Sequence, residues 1–568
     1  GMHLNFGRIP LFNMLKNCTS VFFWCAFVVL GQRATAQVAD PAATTDKFAT
    51  LLNYIQHMYV DSVDAEKLTE KAIVSLLEEL DPHSTYLSKE ELQEANEPLQ
   101  GSFDGIGIQF NILHDTIYVV EPIQGGPSEK LGIQAGDKIV EIEGEAVAGI
   151  GIKNNDVLKK LRGPKGTQVQ IGIQRRGSRE ILHYQIIRDK IPIYSVDAVY
   201  MAAPGVGYIK ISRFARTTVQ EMRKGIEELR AQGMKDLIID LQGNGGGLLN
   251  SAIEMGDEFI SGDRLLVYTQ GRSFPREDYR ANKSLEGSFE KGRLIILIDE
   301  SSASASEIVS GAVQDWDRGL IIGRRSFGKG LVQRPVPLPD GSAVRLTVQK
   351  YYTPSGRCIQ KPYEEGVEEY YNDRNERYAH GEFFNEDSAR VNTSEKYYTN
   401  ISKREVYGGG GIYPDIFVPL DTTENSPYFS EMLRTGVNND WVLTYVDRNR
   451  AELLNSYPTL DKFVEAYTVP ESGVQEMIQM LEEEKVAYNE EEFRRSEGAI
   501  LLRTKALIAR NLYDNEAFYI VINNLNPALK KAVQVLRDGT FDSMKLAQSP
   551  SAPKGKDDGG RDKPGRKK

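Results

Sequence analysis

The sequence predicts a multidomain α+β protein in which helical, β-rich, α/β and again helical regions follow one another. Two observations carry that reading. At 568 residues the chain is too long for a single hydrophobic core, so three or four domains are expected. The hydrophobic period also changes along it: helical spacing over 47–98, strand alternation over 101–189, strands interleaved with helices over 190–360, and helical spacing again over 425–545. Composition is that of a folded chain, 40% hydrophobic and 26% charged. The net charge of −11 argues against a nucleic-acid partner, because such proteins present a basic face.

Residues 1–36 read as an export signal. Lys16 supplies a positive flank, 21–30 form an apolar core, and Ala34-Thr-Ala36 is a small-x-small cleavage pattern before Gln37. The residues ahead of Met14 could be an extension or a misassigned start. The core is shorter than the about 20 apolar residues that a span needs; an uncleaved anchor is the competing reading. Cleavage would leave Cys358 as the single cysteine, with no intrachain disulfide to form.

A mobile linker is expected over 38–46, within a helical region that occupies 37–100. Phe48, Leu51, Leu52 and Ile55 form one apolar stripe, and Ala72, Ile73, Leu76, Leu77 and Leu80 a second, which stops at Asp81-Pro82. His83 reads as a hydrogen-bonded histidine in a turn, because the local sequence completes no triad.

Within 101–189, Gly105–Ile108, Ile117–Val120 and Val169–Ile173 read as strands. The run Leu131-Gly-Ile-Gln-Ala-Gly-Asp-Lys-Ile-Val-Glu-Ile-Glu-Gly144 resembles the middle of a PDZ domain. Gly105, Ile106, Gly107 and Ile108 then match that fold's carboxylate loop, whose backbone N–H groups hold a peptide terminus while the peptide adds to the sheet edge. The plainer alternative is a β-rich domain with a glycine turn.

Residues 190–424 read as an α/β core, with strands at 207–211, 236–241 and 294–298. The second strand runs into Gln242-Gly-Asn-Gly-Gly-Gly-Leu248, where glycines free the backbone to turn its N–H groups outward. The third is followed by Ser301-Ser-Ala-Ser-Ala-Ser-Glu307 and a helix. Ser304 thus sits near the positive end of a helix, where developing negative charge is favoured. Ser304-x-x-Glu307 is equally a capping box. Downstream, Lys329 arrives on a Gly-flanked turn, four residues before Gln333.

The joint pattern, SASASE followed by FGKGxVQ with the lysine 25 residues after the serine, resembles the C-terminal processing peptidases, also called tail-specific proteases. Asp81-Pro-His-Ser-Thr-Tyr-Leu87, Lys350–Gly356 and Gly411–Asp415 match further segments of that family. The resemblance implies a Ser–Lys serine endopeptidase acting through an acyl-enzyme: Ser304 the nucleophile, Lys329 the base, and Gln333 orienting the lysine amine. It implies an oxyanion hole from the amides of Ala305 and of a glycine, best placed at Gly246 with Gly245 or Gly247 as alternatives. Gln242 stands where the family has arginine. Asp315 would have a supporting role. A lysine is ordinarily charged at neutral pH, so it must be desolvated or set near positive charge to act as a base. Phe327, Leu331 and Val332 could desolvate it, and Arg324 and Arg325 could add positive potential.

Gly323-x-x-x-x-Gly328-Lys329 nearly matches a phosphate-binding loop, but Gly330 replaces the Ser or Thr that ligates magnesium, and Pro335, Pro337 and Pro339 exclude a following helix. No cofactor or metal is expected. Residues 361–407, acidic and Tyr-rich, read as a surface insertion; 425–548 as a C-terminal helical domain; 549–568 as a disordered tail. Expected partners are unfolded or tail-exposed proteins, peptide C-termini on the PDZ domain, a second copy of the chain, and an adaptor or activator. Signal and resemblance together place the protein in the periplasm or anchored at the periplasmic face of the inner membrane. The competing functions are a catalytically silent PDZ scaffold and another acyl chemistry such as thioester hydrolysis.

Overall fold

A computed structural model describes residues 41–389 and 395–546. The proposed signal and the tail from 549 lie outside the described residues. Among the described residues no helix is long and apolar enough to cross a membrane.

The N-terminal unit, up to Leu76, is helical. Helix Pro41–Met58 begins inside the expected linker, with proline in the first turn, where its missing N–H costs nothing. Leu51, Tyr54 and Met58 on it are exposed, Met58 to 75%. A second helix spans Ala65–Glu78.

The remainder, from Leu77, holds four apolar cores: one in the PDZ-like part, one on each face of the α/β sheet, and one among the C-terminal helices. In the PDZ-like part, five strands pair antiparallel in the order Ile108–Leu113, Thr116–Pro122, Lys138–Ile142, Gln168–Gln174, Ile181–Ile187. Their inward residues, among them Ile117, Ile139, Ile171 and Ile173, close on Val157 of helix Asn154–Leu161. Ile108–Leu113 pairs on one side only and so offers an open sheet edge.

The α/β part is built on six strands in the order Val196–Ala203, Val206–Ile211, Asp236–Asp240, Leu294–Ile298, Leu320–Gly323, Ile416–Phe417. The first pair is antiparallel and the rest parallel. Such strands are covered on both faces, which explains unbroken apolar runs such as Leu294–Ile298. Helices Thr218–Ala231, Leu249–Phe259 and Ala305–Asp315 cover one face, toward which Ile239 and Ile296 point. The other face, with Tyr208, Ile238 and Ile295, is covered by Ala528, Leu529, Ala532 and Val535 of helix Pro527–Arg537. The helices expected over 425–548 therefore serve two cores: Tyr428–Val521 form one of their own, while the last long helix completes the α/β sheet.

Beside this sheet lies a second one. Its long strand Ala343–Tyr352 pairs with Leu331–Pro337, with Thr85–Leu87 and with Leu265–Gln270.

The stretch 361–407 is not simply a surface insertion. Helix Val367–Ala379 buries Tyr370 and Arg377. The Arg377 guanidinium donates to the carbonyls of Arg325 and Ser326 and pairs with Glu382. Its buried face uses tyrosine and arginine in place of aliphatic residues, so no apolar period appears.

Candidate active site

Three consecutive parallel strands deliver the site, each through the loop at its carboxyl end, where clefts form in α/β sheets. Asp236–Asp240 leads into the glycine loop, Leu294–Ile298 into Ser301–Ser304, and Leu320–Gly323 into Arg324–Gly330.

The first two loops are stitched together. Asn244 is fully buried; its carbonyl accepts the Ala303 N–H at 3.0 Å and the Ser306 hydroxyl at 2.9 Å. Its side chain donates to the Ile211 carbonyl and accepts the Gly246 N–H at 2.8 Å. This fixes the loop despite Gln242, whose side-chain oxygen accepts from Asn526. Gly246, at φ +101°, lies against the serine: a Cβ there would come within 2.8 Å of Ser304 Cβ. With the Gly246 N–H given to Asn244, the amides of Gly245 and Gly247 are those in the turn without a protein acceptor among the described residues. The Ala305 N–H opens helix Ala305–Asp315, a position whose amide has no partner within the helix.

Ser304 is half-buried and adopts φ 54°, ψ −112°. A non-glycine residue at positive φ is strained and persists only where its surroundings hold it. Glu307 does much of that holding. Fully buried, its Oε2 accepts the backbone N–H groups of Ser304 (2.8 Å) and Lys329 (2.9 Å). Its Oε1 accepts the Gly328 N–H at 2.7 Å and the Ser326 hydroxyl at 2.5 Å. The Tyr351 hydroxyl is shared between the carbonyls of Ser304 (3.1 Å) and Lys329 (2.5 Å). Ser304 and Lys329 are thus brought together through both their amides and their carbonyls.

Burial lowers the Lys329 pKa; the Glu307 charge opposes this, Arg345 adds to it, and Asp81 opposes it again. Arg324 and Arg325, expected to supply positive potential, are instead neutralised by Glu300 and Glu382. The DPHS turn forms part of the site's wall. His83 is pulled down to about 4 by burial and then by the Lys329 charge, and its Nε2 lies 2.8 Å from the Tyr370 hydroxyl. Gln333 does not bond Lys329 here: its Nε2 donates to the Thr347 hydroxyl at 3.1 Å.

Asp315 ends the helix that Ser304 opens, about 16 Å away at 1.5 Å per residue. It forms a fully buried ion pair with Arg357 at 2.7 Å and accepts the Ser355 N–H. Burial pushes the Cys358 thiol up, the reverse of what a nucleophilic cysteine needs. Among the described residues no cluster of His, Cys, Asp or Glu is placed to hold a metal.

In the PDZ-like part, Gly105 ends a strand paired to Asp189–Pro192. The buried Ile106 gives its carbonyl to the Ser128 hydroxyl and N–H. Gly107 lies at φ +76°, and Ile108 begins the open-edged strand.

Sequence reasoning missed the second role of Glu307, legible only as a cap, and the parts played by Tyr351, Asp81 and Thr347, which lie on other strands or turns.

Residues 205–371 match peptidase family S41, 105–184 match the PDZ domain, and 29–91 match the N-terminal domain of the activating protease CtpB. Residues 428–514 match a family of unknown function. The chain is 36% identical over 332 residues to the carboxy-terminal processing protease CtpB of Bacillus subtilis (strain 168), covering 58% of this chain and 68% of that protein. It is 35% identical over 345 residues to the carboxy-terminal-processing protease of Bartonella bacilliformis, covering 60% and 78%. With this similarity running through the PDZ and protease regions just described, the chain belongs to the carboxy-terminal processing proteases of peptidase family S41, and is a serine-type peptidase.

Proposed function

We propose that the protein is an exported endopeptidase that captures protein C-terminal tails on its PDZ domain, over 101–189, and cleaves peptide bonds with a Ser304–Lys329 dyad. The observation that carries the mechanism is the single Glu307 carboxylate oxygen holding the amides of both residues. In this reading the neutral Lys329 amine takes the Ser304 proton as Oγ attacks the scissile carbonyl. The amides of Ala305 and of the glycine turn receive the oxyanion; Gly245 and Gly247 are the better glycine donors, because Gly246 serves Asn244. The lysine returns its proton to the leaving amine; water, deprotonated by the same lysine, then attacks the acyl carbon, and the lysine passes that proton to Ser304 Oγ as the acyl–oxygen bond breaks. Asp315 supports the helix and stays outside the chemistry.

Tail capture is supported by the Gly105–Ile108 loop leading into an open strand edge, the arrangement that β-strand addition uses. The test is cleavage of one unfolded substrate with a free or an amidated apolar C-terminus. Faster cleavage of the free acid supports carboxylate capture; equal rates contradict it. Self-association is supported by the exposed apolar residues of helix Pro41–Met58, and Leu51→Glu with Met58→Glu should yield a monomer in sedimentation. Export rests on the 21–30 segment and is tested by the N-terminus of the mature protein.

A further inference from the structure

We propose that Arg345 is a specificity-determining residue, which receives the side-chain carboxylate of an aspartate or glutamate in the stretch of substrate lying across the site. The inference rests on the Ser304–Lys329 reading and deepens it. With the tail's own terminus held on the PDZ loop, the stretch to be cut carries carboxylates only on its side chains. Arg345 lies on strand Ala343–Tyr352, its backbone fixed between Pro335 on one side and Thr85 on the other. It stands two residues from Thr347, and alternate residues of a strand share a face. Thr347 marks what that face looks onto: its hydroxyl donates to Asp81 Oδ1 at 2.9 Å and accepts from Gln333 Nε2 at 3.1 Å. The charges of Arg345 and Asp81 both act on Lys329. Arg345 therefore belongs to the wall beside the dyad lysine.

Its guanidinium is half-buried and uncompensated. Among the described residues it has no ion pair, and burial draws its pKa below the ordinary arginine value with no carboxylate acting to raise it. The neighbouring arginines differ: Arg324 pairs with Glu300, Arg325 with Glu382 and Arg357 with Asp315. The two acids that act on Lys329 are already filled. Asp81 accepts the N–H groups of His83 and Ser84 and the hydroxyls of Ser84 and Thr347. Glu307 accepts the N–H groups of Ser304, Gly328 and Lys329 and the Ser326 hydroxyl. A guanidinium with open donors takes a carboxylate through two parallel charge-assisted bonds, stronger than neutral ones. Since the chain supplies no such partner here, the substrate does. The same charge repels a lysine or arginine placed at that position.

The experiment digests one unfolded protein with the full chain and locates every cut by mass spectrometry, for wild type, Arg345→Gln, Arg345→Glu and Ser304→Ala. Wild type should cut on the order of 10- to 100-fold faster where Asp or Glu, in place of Asn or Gln, occupies one fixed position relative to the scissile bond, the worth of a charged hydrogen bond. Arg345→Gln should lose that preference, and Arg345→Glu should exchange it for Lys or Arg at the same position. Each ratio is read within one enzyme, so a general loss of rate from a looser fold or a more basic Lys329 cancels. Wild-type cutting without an acidic preference, or a preference unchanged in Arg345→Gln, overturns the inference and leaves the dyad standing. Cuts set by distance from the chain end, and lost in Arg345→Gln, would give Arg345 the terminal carboxylate and overturn it as well. Cutting that survives in Ser304→Ala removes the dyad reading and this inference together.

Discussion

Glu307 accepts the backbone N–H of Lys329 at 2.9 Å with the same carboxylate oxygen that accepts the N–H of Ser304. One buried side chain therefore fixes the separation of two loops that arrive from different strands. Glu307→Gln turns one accepting oxygen into a donor facing two donors. A misplacement of about 1 Å can cost on the order of 100-fold in rate, and that is the fall expected in kcat.

The same residue gives a pH signature. Burial raises the Glu307 pKa to about 7, against hydrogen bonds from Ser326, Lys329, Gly328 and Ser304 that lower it. Its folded value lies above its unfolded one, so between the two the folded state holds the extra proton. Stability from this group is full below the ordinary carboxylate value and is lost as pH rises toward 7. Urea midpoints of wild type should fall across that window, and those of Glu307→Gln should fall less.

Gly246 tests the approach of the glycine loop to the serine. At φ +101°, with Ser304 Cβ and the Ala303 carbonyl oxygen each 2.8 Å from where a Cβ would stand, Gly246→Ala must displace one loop or the other. That displacement carries the Gly245 and Gly247 amides away from the serine, and loss of an oxyanion donor costs roughly 100- to 1000-fold, so kcat should fall in that range while the far-ultraviolet circular dichroism stays native.

Asp315 separates structural support from chemistry. Asp315→Ala leaves the fully buried Arg357 without its counter-charge, which costs roughly 3–5 kcal/mol of stability. The urea midpoint should drop, and kcat per folded molecule should stay near wild type. A wild-type midpoint with abolished turnover would put Asp315 in the chemistry.

Much of the framework was legible because fully buried parallel strands are written as short apolar runs. Leu294–Ile298 and Asp236–Asp240 are recognisable without a structure, and so are the Gly- and Ser-rich turns after them. What stayed hidden was pairing between distant segments. Arg324 and Arg325 look like free positive charge beside Lys329 until Glu300 and Glu382 are seen to neutralise them. Helix Val367–Ala379 buries tyrosine and arginine, so hydrophobic spacing does not announce it. Helix Pro527–Arg537 has a clear apolar stripe, yet nothing local says that its partner is a sheet some 230 residues earlier. The Asp81–Thr347–Gln333 chain spans three strands or turns and has no linear signature.

The central claim is that Ser304 and Lys329 act as one unit. The most direct test is cleavage of an unfolded protein with an apolar C-terminus, over a pH series, by wild type, Ser304→Ala and Lys329→Ala, with and without a chelator. Wild type should cleave with or without the chelator, and both variants should be inactive. The wild-type rate should rise with pH as Lys329 loses its proton, at a pH below that of an ordinary lysine. Cleavage that persists in Lys329→Ala with an unchanged pH profile would contradict it.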